Sequence, residues 1–215
     1  GSSGNQERDG ECAGGMSLWY KQDTQFKKPK TNMIFSLVSG RPSESPESRA
    51  LTSLFSSLVE DSLNEFAYAA DIAGASYSLG LGSNGLQLAL GGFSHKVPEL
   101  LEAVLQRAIV PFTCGGGDPA AGQFKEERFL KLQERKSRAY RNTAKEQPYE
   151  LCRYLRMQLL CVGGLYTREE MLDAINSATL EAVQDFVSRR LLSACDLEGF
   201  VFGNVDPTQA KQLAV

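Results

Sequence analysis

An α+β fold, with a mainly antiparallel sheet and helices packed on one face, is what this sequence predicts. Three observations lead there. Short segments with period-two apolar spacing recur near the start, in the middle and near the end of the chain. Longer segments with helical spacing lie between them, and short glycine-bearing turns join the middle strands.

Leu18 to Gln22 and Thr31 to Ser39 are rich in aromatic and β-favouring residues and read as two strands separated by the polar DTQFKKPK. The following SGRPSESPES is a loop by its prolines and serines. Leu51, Leu54, Phe55 and Leu58 then fall at i, i+3, i+4 and i+7. The same register continues through Phe66, Ala69 and Ile72 or Ala73, which predicts one long helix ending at Gly74. Ala75 to Leu79 is a short strand, and Leu86, Leu88 and Leu90 alternate with Gln87 and Ala89 as the next.

Between them, Gly80, Gly82 and Gly85 spell G-x-G-x-x-G. A dinucleotide loop needs a helix directly after its glycines, because the helix N-terminus holds the pyrophosphate. Here a strand follows, so GLGSNG reads as a hairpin turn with Asn84-Gly85 at its tip.

Pro98 to Ile109 is an amphipathic helix, and CGGGDPAAG is a break. A charged helix runs from Phe124 to about Asn142, and another from Pro148 to Val162 carries Leu151, Leu155 and Leu159 on one face. Thr167-Arg-Glu-Glu170 is a capping box. Leu180 to Leu192 is a helix, Leu197 to Phe202 a closing strand, and Asp206-Pro207 opens a last helical turn.

The 215 residues are 42% hydrophobic with a net charge of −3, which offers no general attraction to nucleic acid or anionic membrane. No apolar run approaches the roughly 20 residues that span a bilayer, and no signal peptide is visible. Five scattered cysteines without a C-x-x-C pair suit a reducing, cytoplasmic setting. The opening GSSG reads as a cloning remnant, and residues 1–15 as a flexible lead-in.

Few constellations carry chemistry. His95 is the single histidine, at a strand end, and reads as a turn or surface residue. One histidine excludes H-x-x-E-H and H-E-x-x-H motifs and most nucleophilic triads. An enzyme pairing His95 with a cysteine is the remaining catalytic reading. CGGGDPAAGQF lacks the Lys-Ser/Thr that ends a phosphate loop. SESPES offers serines to a kinase, although short serine-rich loops need no such role. Residues 125–141 carry seven basic side chains against three glutamates. A solvated helix laced by Glu127-Lys131 and Glu134-Arg138 is the plain reading. A positively biased wall facing a polyanion or peptide is the sharper one, and without interleaved aromatics it is no nucleic-acid platform.

Several segments together resemble one family. SLWYKQDTQFKKPKTNMIFSL, the stretch from LVEDSLNEFAYAADIAGASYS through the hairpin to ELLEAVL, RNTAKEQPYELCRYLRMQLL and GFVFGNV are similar to the third domain of insulin-degrading-enzyme-like, pitrilysin-type zinc metallopeptidases, in order from Met16 to Val205. The resemblance implies a pitrilysin- and mitochondrial-processing-peptidase-like domain over residues 16–205, with 206–215 starting the connection to a next domain.

In that family two halves close around a peptide. Zinc sits in the first domain, held by an inverted H-x-x-E-H and a downstream glutamate, and the third domain is a copy that has lost the site. The corresponding helix here, ALTSLFSSLVEDSLNEF, has leucines, serines and Phe55 where histidines are needed, with Glu60, Asp61 and Glu65 left. No catalytic or metal-binding residue carries over, and no cofactor is expected in this chain. The implied partners are the zinc-bearing N-terminal half, the adjacent C-terminal domain and a peptide substrate. Lys125, Arg128, Arg135 and Arg138 are the candidate chamber-wall residues. The stretches 40–48 and 113–122 read as surface-loop insertions. A non-proteolytic structural or processing-partner subunit of the same fold is the alternative.

Overall fold

Five strands in the order β1-β5-β2-β4-β3 form one sheet: β1 (Met16–Gln22), β2 (Lys30–Val38), β3 (Ala75–Leu81), β4 (Gly85–Phe93) and β5 (Asp196–Gly203). The computed structural model describes residues 15–82, 85–110, 124–160, 165–192 and 195–212. The 113–122 break, Asn84 and all of the lead-in except Gly15 lie outside them. Gly15 is tied to the sheet, its N–H donating to Asp196 Oδ1 at 2.9 Å and its carbonyl accepting from Leu197 N at 2.9 Å.

The sheet is antiparallel except where β1 runs parallel to β5. Thus β1 and β2 are consecutive in sequence yet not neighbours, because β5 enters between them. Turn 23–29 spans the end of β5, fastened by Asp23 N to Gly203 O at 2.9 Å. The expected hairpin joins β3 to β4, with Gly82 N–H donating to Gly85 O at 2.7 Å.

Alternation decides which face is covered. In β2, Thr31, Met33 and Phe35 are buried while Lys30, Asn32 and Ile34 are exposed. Leu86, Leu88 and Leu90 of β4 and Val201 of β5 point to the same core. Helix α1 (Pro46–Ser62) lies in the middle of the helical layer, with Leu51, Leu54, Phe55, Leu58 and Val59 all buried. Around it pack α3 (Val97–Ala108), α4 (Glu126–Arg141), α6 (Arg168–Ser177) and α7 (Leu180–Phe186). Among the described residues the other α-helices are α2 (Asn64–Ile72), α5 (Pro148–Leu160) and α8 (Pro207–Gln212). Thr167 and Glu170 close the reciprocal capping box of α6, and Asp206 Oδ1 caps α8 by accepting from Thr208 N and Gln209 N, both at 2.8 Å.

Three expectations are corrected. The segment 40–48 is not simply a surface loop: Arg41–Ser43 is a 3-10 turn, and α1 starts at Pro46 with the Ser45 hydroxyl accepting from Ser48 N at 3.0 Å. Proline at the first helical position has no N–H to leave unpaired, which is why the helix begins there. Ser48 is 4% exposed and Ser45 is engaged as the cap, so two of the SESPES serines are poorly placed for a kinase.

The single helix expected up to Gly74 breaks at Leu63. The Ser62 hydroxyl donates to the Val59 carbonyl at 2.8 Å, competing with the helix's own bonds, and Leu63 N–H is shared between Val59 O and Glu60 O. The new direction leaves Phe66 41% and Ile72 73% exposed, although their register predicts burial. Gly74, at φ +73°, ends α2 as expected. Finally, the helix expected over 180–192 is α-helical to Phe186 and then a π turn over Val187–Leu191.

Candidate functional site

Phase sorts the charges of α4. Phe129, Leu132 and Ser137 are buried, and their spacing carries Lys136 to the same inward side. Arg128, Lys131, Arg135 and Arg138 follow at i, i+3, i+7 and i+10 and are all exposed. The structure therefore brings Arg128, Arg135 and Arg138 together as one stripe. Lys125 stands apart at the N-cap, in extended conformation before the first helical turn. Arg128 reaches Asp61 of α1 at 3.7 Å, and Arg138 pairs with Glu134. Lys131 holds Glu127 at 2.6 Å, and that hydrogen bond keeps the Glu127 carboxyl below its usual range. Exposed pairs of this kind contribute little to stability, and the four cations of the stripe stand against Asp61, Glu127 and Glu134, a small positive excess.

Sequence reasoning grouped Lys136 with the solvated cations and missed its place. Its Nζ donates to Ser53 Oγ of α1 at 2.8 Å, near Glu60. Burial pushes the ammonium below the usual lysine range, against the pull of Glu60. Tyr77 of β3 is pushed up to about 12, first by burial and then by Glu60. The signal lay in the spacing of Phe129, Leu132 and Lys136.

The two shifts have opposite signs for stability. Below its usual value of 10.5, Lys136 is protonated against a burial cost that is relieved as pH rises through its lowered folded value toward 10.5. Tyr77 contributes stability that is complete below pH 10 and is lost between about 10 and about 12, where the unfolded chain ionises first. Tyr77→Phe is thus expected to flatten the fall in urea midpoint between pH 9 and 11.5. An unchanged slope would remove Tyr77 as its source.

Helix α1 corresponds, by the resemblance, to the helix that carries zinc in catalytic copies. Such zinc takes imidazole nitrogens. Here α1 offers Ser53, Ser56, Ser57 and Glu60, and the ammonium of Lys136 already occupies Ser53, where it would repel a dication. These residues do not fit a zinc ion. Among the described residues, no three His, Cys, Asp or Glu side chains gather to hold a metal.

His95 stands exposed in the turn between β4 and α3, its ring 6.1 Å from Phe93. It lines a cleft of about 670 Å³ with Gln22, Asn204, Asp206 and Gln209. Neither described cysteine, Cys152 or Cys195, lines that cleft, so among the described residues His95 has no thiol partner there.

The second surface missed in the sequence is the open face of the sheet. Trp19, Phe200, Ile34 and Ala89 stand side by side across β1, β5, β2 and β4, and Phe202 faces Lys21 and Asn32 in the next row. Trp19 is 68% exposed and Phe200 42%. Strand alternation alone places these aromatics outward.

A family model described as the middle or third domain of peptidase M16 matches residues 11–174. The chain belongs to the peptidase M16 middle-domain family. Insulin-degrading enzyme-like 2 of Arabidopsis thaliana is 35% identical over 196 residues, covering 91% of this chain and 19% of that protein. Human insulin-degrading enzyme is 31% identical over 188 residues, covering 87% and 17%. A Schizosaccharomyces pombe relative, named as a putative zinc protease, is 29% identical over 91% of the chain. The crystal structure of pitrilysin superposes with a TM-score of 0.79 at 22% identity, over 93% of this chain and 20% of that one. The chain thus spans about a fifth of the length of these M16 relatives. Among the described residues no helix is long and apolar enough to cross a membrane.

Proposed function

We propose that the chain is a non-catalytic domain of an insulin-degrading-enzyme-like zinc metalloendopeptidase, that residues 16–205 form its single unit, and that it walls part of a peptide-enclosing chamber. The observation that carries this reading is the donor set of α1, which keeps the helix of the fold and replaces metal ligands with serines and a lysine-held hydroxyl. Zinc bound in the N-terminal domain of such a protein supplies a polarised water for peptide-bond hydrolysis. This chain's own part is to exclude bulk water and to hold substrate. The stripe of Arg128, Arg135 and Arg138, with Lys125 at its head, attracts acidic peptide segments. The partners are the zinc-bearing half and the adjacent C-terminal domain. The free thiols of Cys152 and Cys195 suit a cytoplasmic setting.

The isolated chain is expected to carry less than a tenth of an equivalent of zinc by elemental analysis and to leave a quenched fluorescent peptide uncut. Stoichiometric zinc or chelator-sensitive turnover by the chain alone defeats the reading. Within the longer protein, R135E with R138E is expected to raise KM severalfold for an acidic peptide at low salt and to spare a neutral one. If Trp19→Ser with Phe200→Ser raises KM and charge reversal does not, the open sheet face lines the chamber instead.

A further inference from the structure

Helix α5 carries Leu151, Leu155 and Leu159 on one face, as their spacing predicts, but nothing within the described residues covers that face. It has no buried residue, and no other element packs broadly on it. Its polar side faces the body. Gln158 Nε2 donates to Tyr166 O at 3.0 Å, the Tyr154 hydroxyl accepts from Arg168 N at 3.2 Å, and the Arg168 guanidinium lies 4.1 Å from the Tyr154 ring centre. Leu151, Leu155 and Leu159, at i, i+4 and i+8, form an outward stripe and are 45%, 50% and 85% exposed. Cys152, also exposed, sits beside them. A thirteen-residue helix is marginal in water without tertiary support, and amphipathic helices normally turn the apolar stripe inward. Here the stripe is turned out.

We infer that this stripe docks against an apolar surface of the same polypeptide outside these 215 residues. This rests on the reading that the chain is one domain of a longer protease. Two observations choose that occupant. The M16 relatives carry about four-fifths of their length outside the matched region, so the family supplies a tethered neighbour. The stripe is also small. A helix of this length is about 20 Å long and about 10 Å wide, so one face falls far short of the roughly 800 Å² per partner of a stable separate complex. Tethering raises the effective concentration and lets a small seam close. The three leucines, bordered by Cys152 and Arg156, match the apolar centre and charged rim of a permanent contact.

The test is alkylation of Cys152 by N-ethylmaleimide, read by peptide mass spectrometry. In the 215-residue chain, Cys152 is expected to react as an exposed thiol; in the full-length protein it reacts at least tenfold more slowly. Leu155→Lys in the full-length protein restores fast labelling. Equal rates in the two unmutated proteins overturn the inference, as does protection in the short chain accompanied by dimerisation in analytical ultracentrifugation. If Leu155→Lys prevents folding, the comparison of unmutated proteins decides. Chelator-sensitive peptide cleavage by the full-length protein with Cys152 unprotected sinks the seam and leaves the proposed function standing. Protection without cleavage does the reverse.

Discussion

Phe55→Ala is expected to lower the stability of the chain by about 3–5 kcal/mol, the cost of removing a fully buried aromatic ring from a core that relaxes only in part. Phe55 has no exposed surface and belongs to the cluster formed by Met33, Phe35, Leu54 and Leu88. Its helix is held between the sheet on one side and α4 and α6 on the other, so the neighbourhood has little room to collapse into the space left. Leu159→Ala, on the outward stripe of α5, is expected to change stability by less than about 0.5 kcal/mol in the same chain. Urea midpoints at constant slope measure both. A loss below about 1 kcal/mol for Phe55→Ala would mean that α1 is not the centre of the core.

Gly203→Ala is expected to cost about 2–5 kcal/mol, although it adds a single methyl group. Gly203 has φ +137°, and a Cβ there would stand 2.3 Å from the Lys30 carbonyl oxygen and 2.8 Å from Thr31 Cα. Both are backbone atoms of the neighbouring strand. The methyl would have to lever β5 away from β2 where Asn204 N–H donates to Lys30 O and Asp23 N–H to Gly203 O, both at 2.9 Å. Gly80→Ala is the control: a Cβ meets nothing within 4 Å, so the change should stay within about 1 kcal/mol. Equal midpoints for the two variants would remove the steric account.

Local chemistry made most elements readable. Alternation in TNMIF and LQLAL marked strands with one covered face, and Gly74 and Thr167 marked a helix end and a helix start. Most of what failed depended on distant partners. Nothing in MSLWYKQ states that its neighbour is DLEGFVFG, because strand order comes from chain passage rather than from pattern. The bend at Leu63 is the local exception, where the Ser62 hydroxyl bonds back to Val59 O. The leucines of α5 have the same spacing whichever body covers them, so the pattern foretold an apolar face and not its occupant. In the candidate site, spacing was enough to unite Arg128, Arg135 and Arg138, and phase could have separated Lys136 from them. The contact with Ser53 needed α1 and α4 to be brought together.

The placement of β5 governs how the molecule can be made. Both β1 and β2 find their partner in a strand about 180 positions downstream of β1, as the Gly15–Asp196 bond marks. On a ribosome these two early strands wait, unpaired along those edges, until Asp196–Gly203 has emerged. Closing so wide a loop makes assembly slow and exposes MSLWYKQ and KTNMIFSLV to premature association. Nascent chains halted before Asp196 should accordingly need chaperone cover that chains released past Gly203 do not.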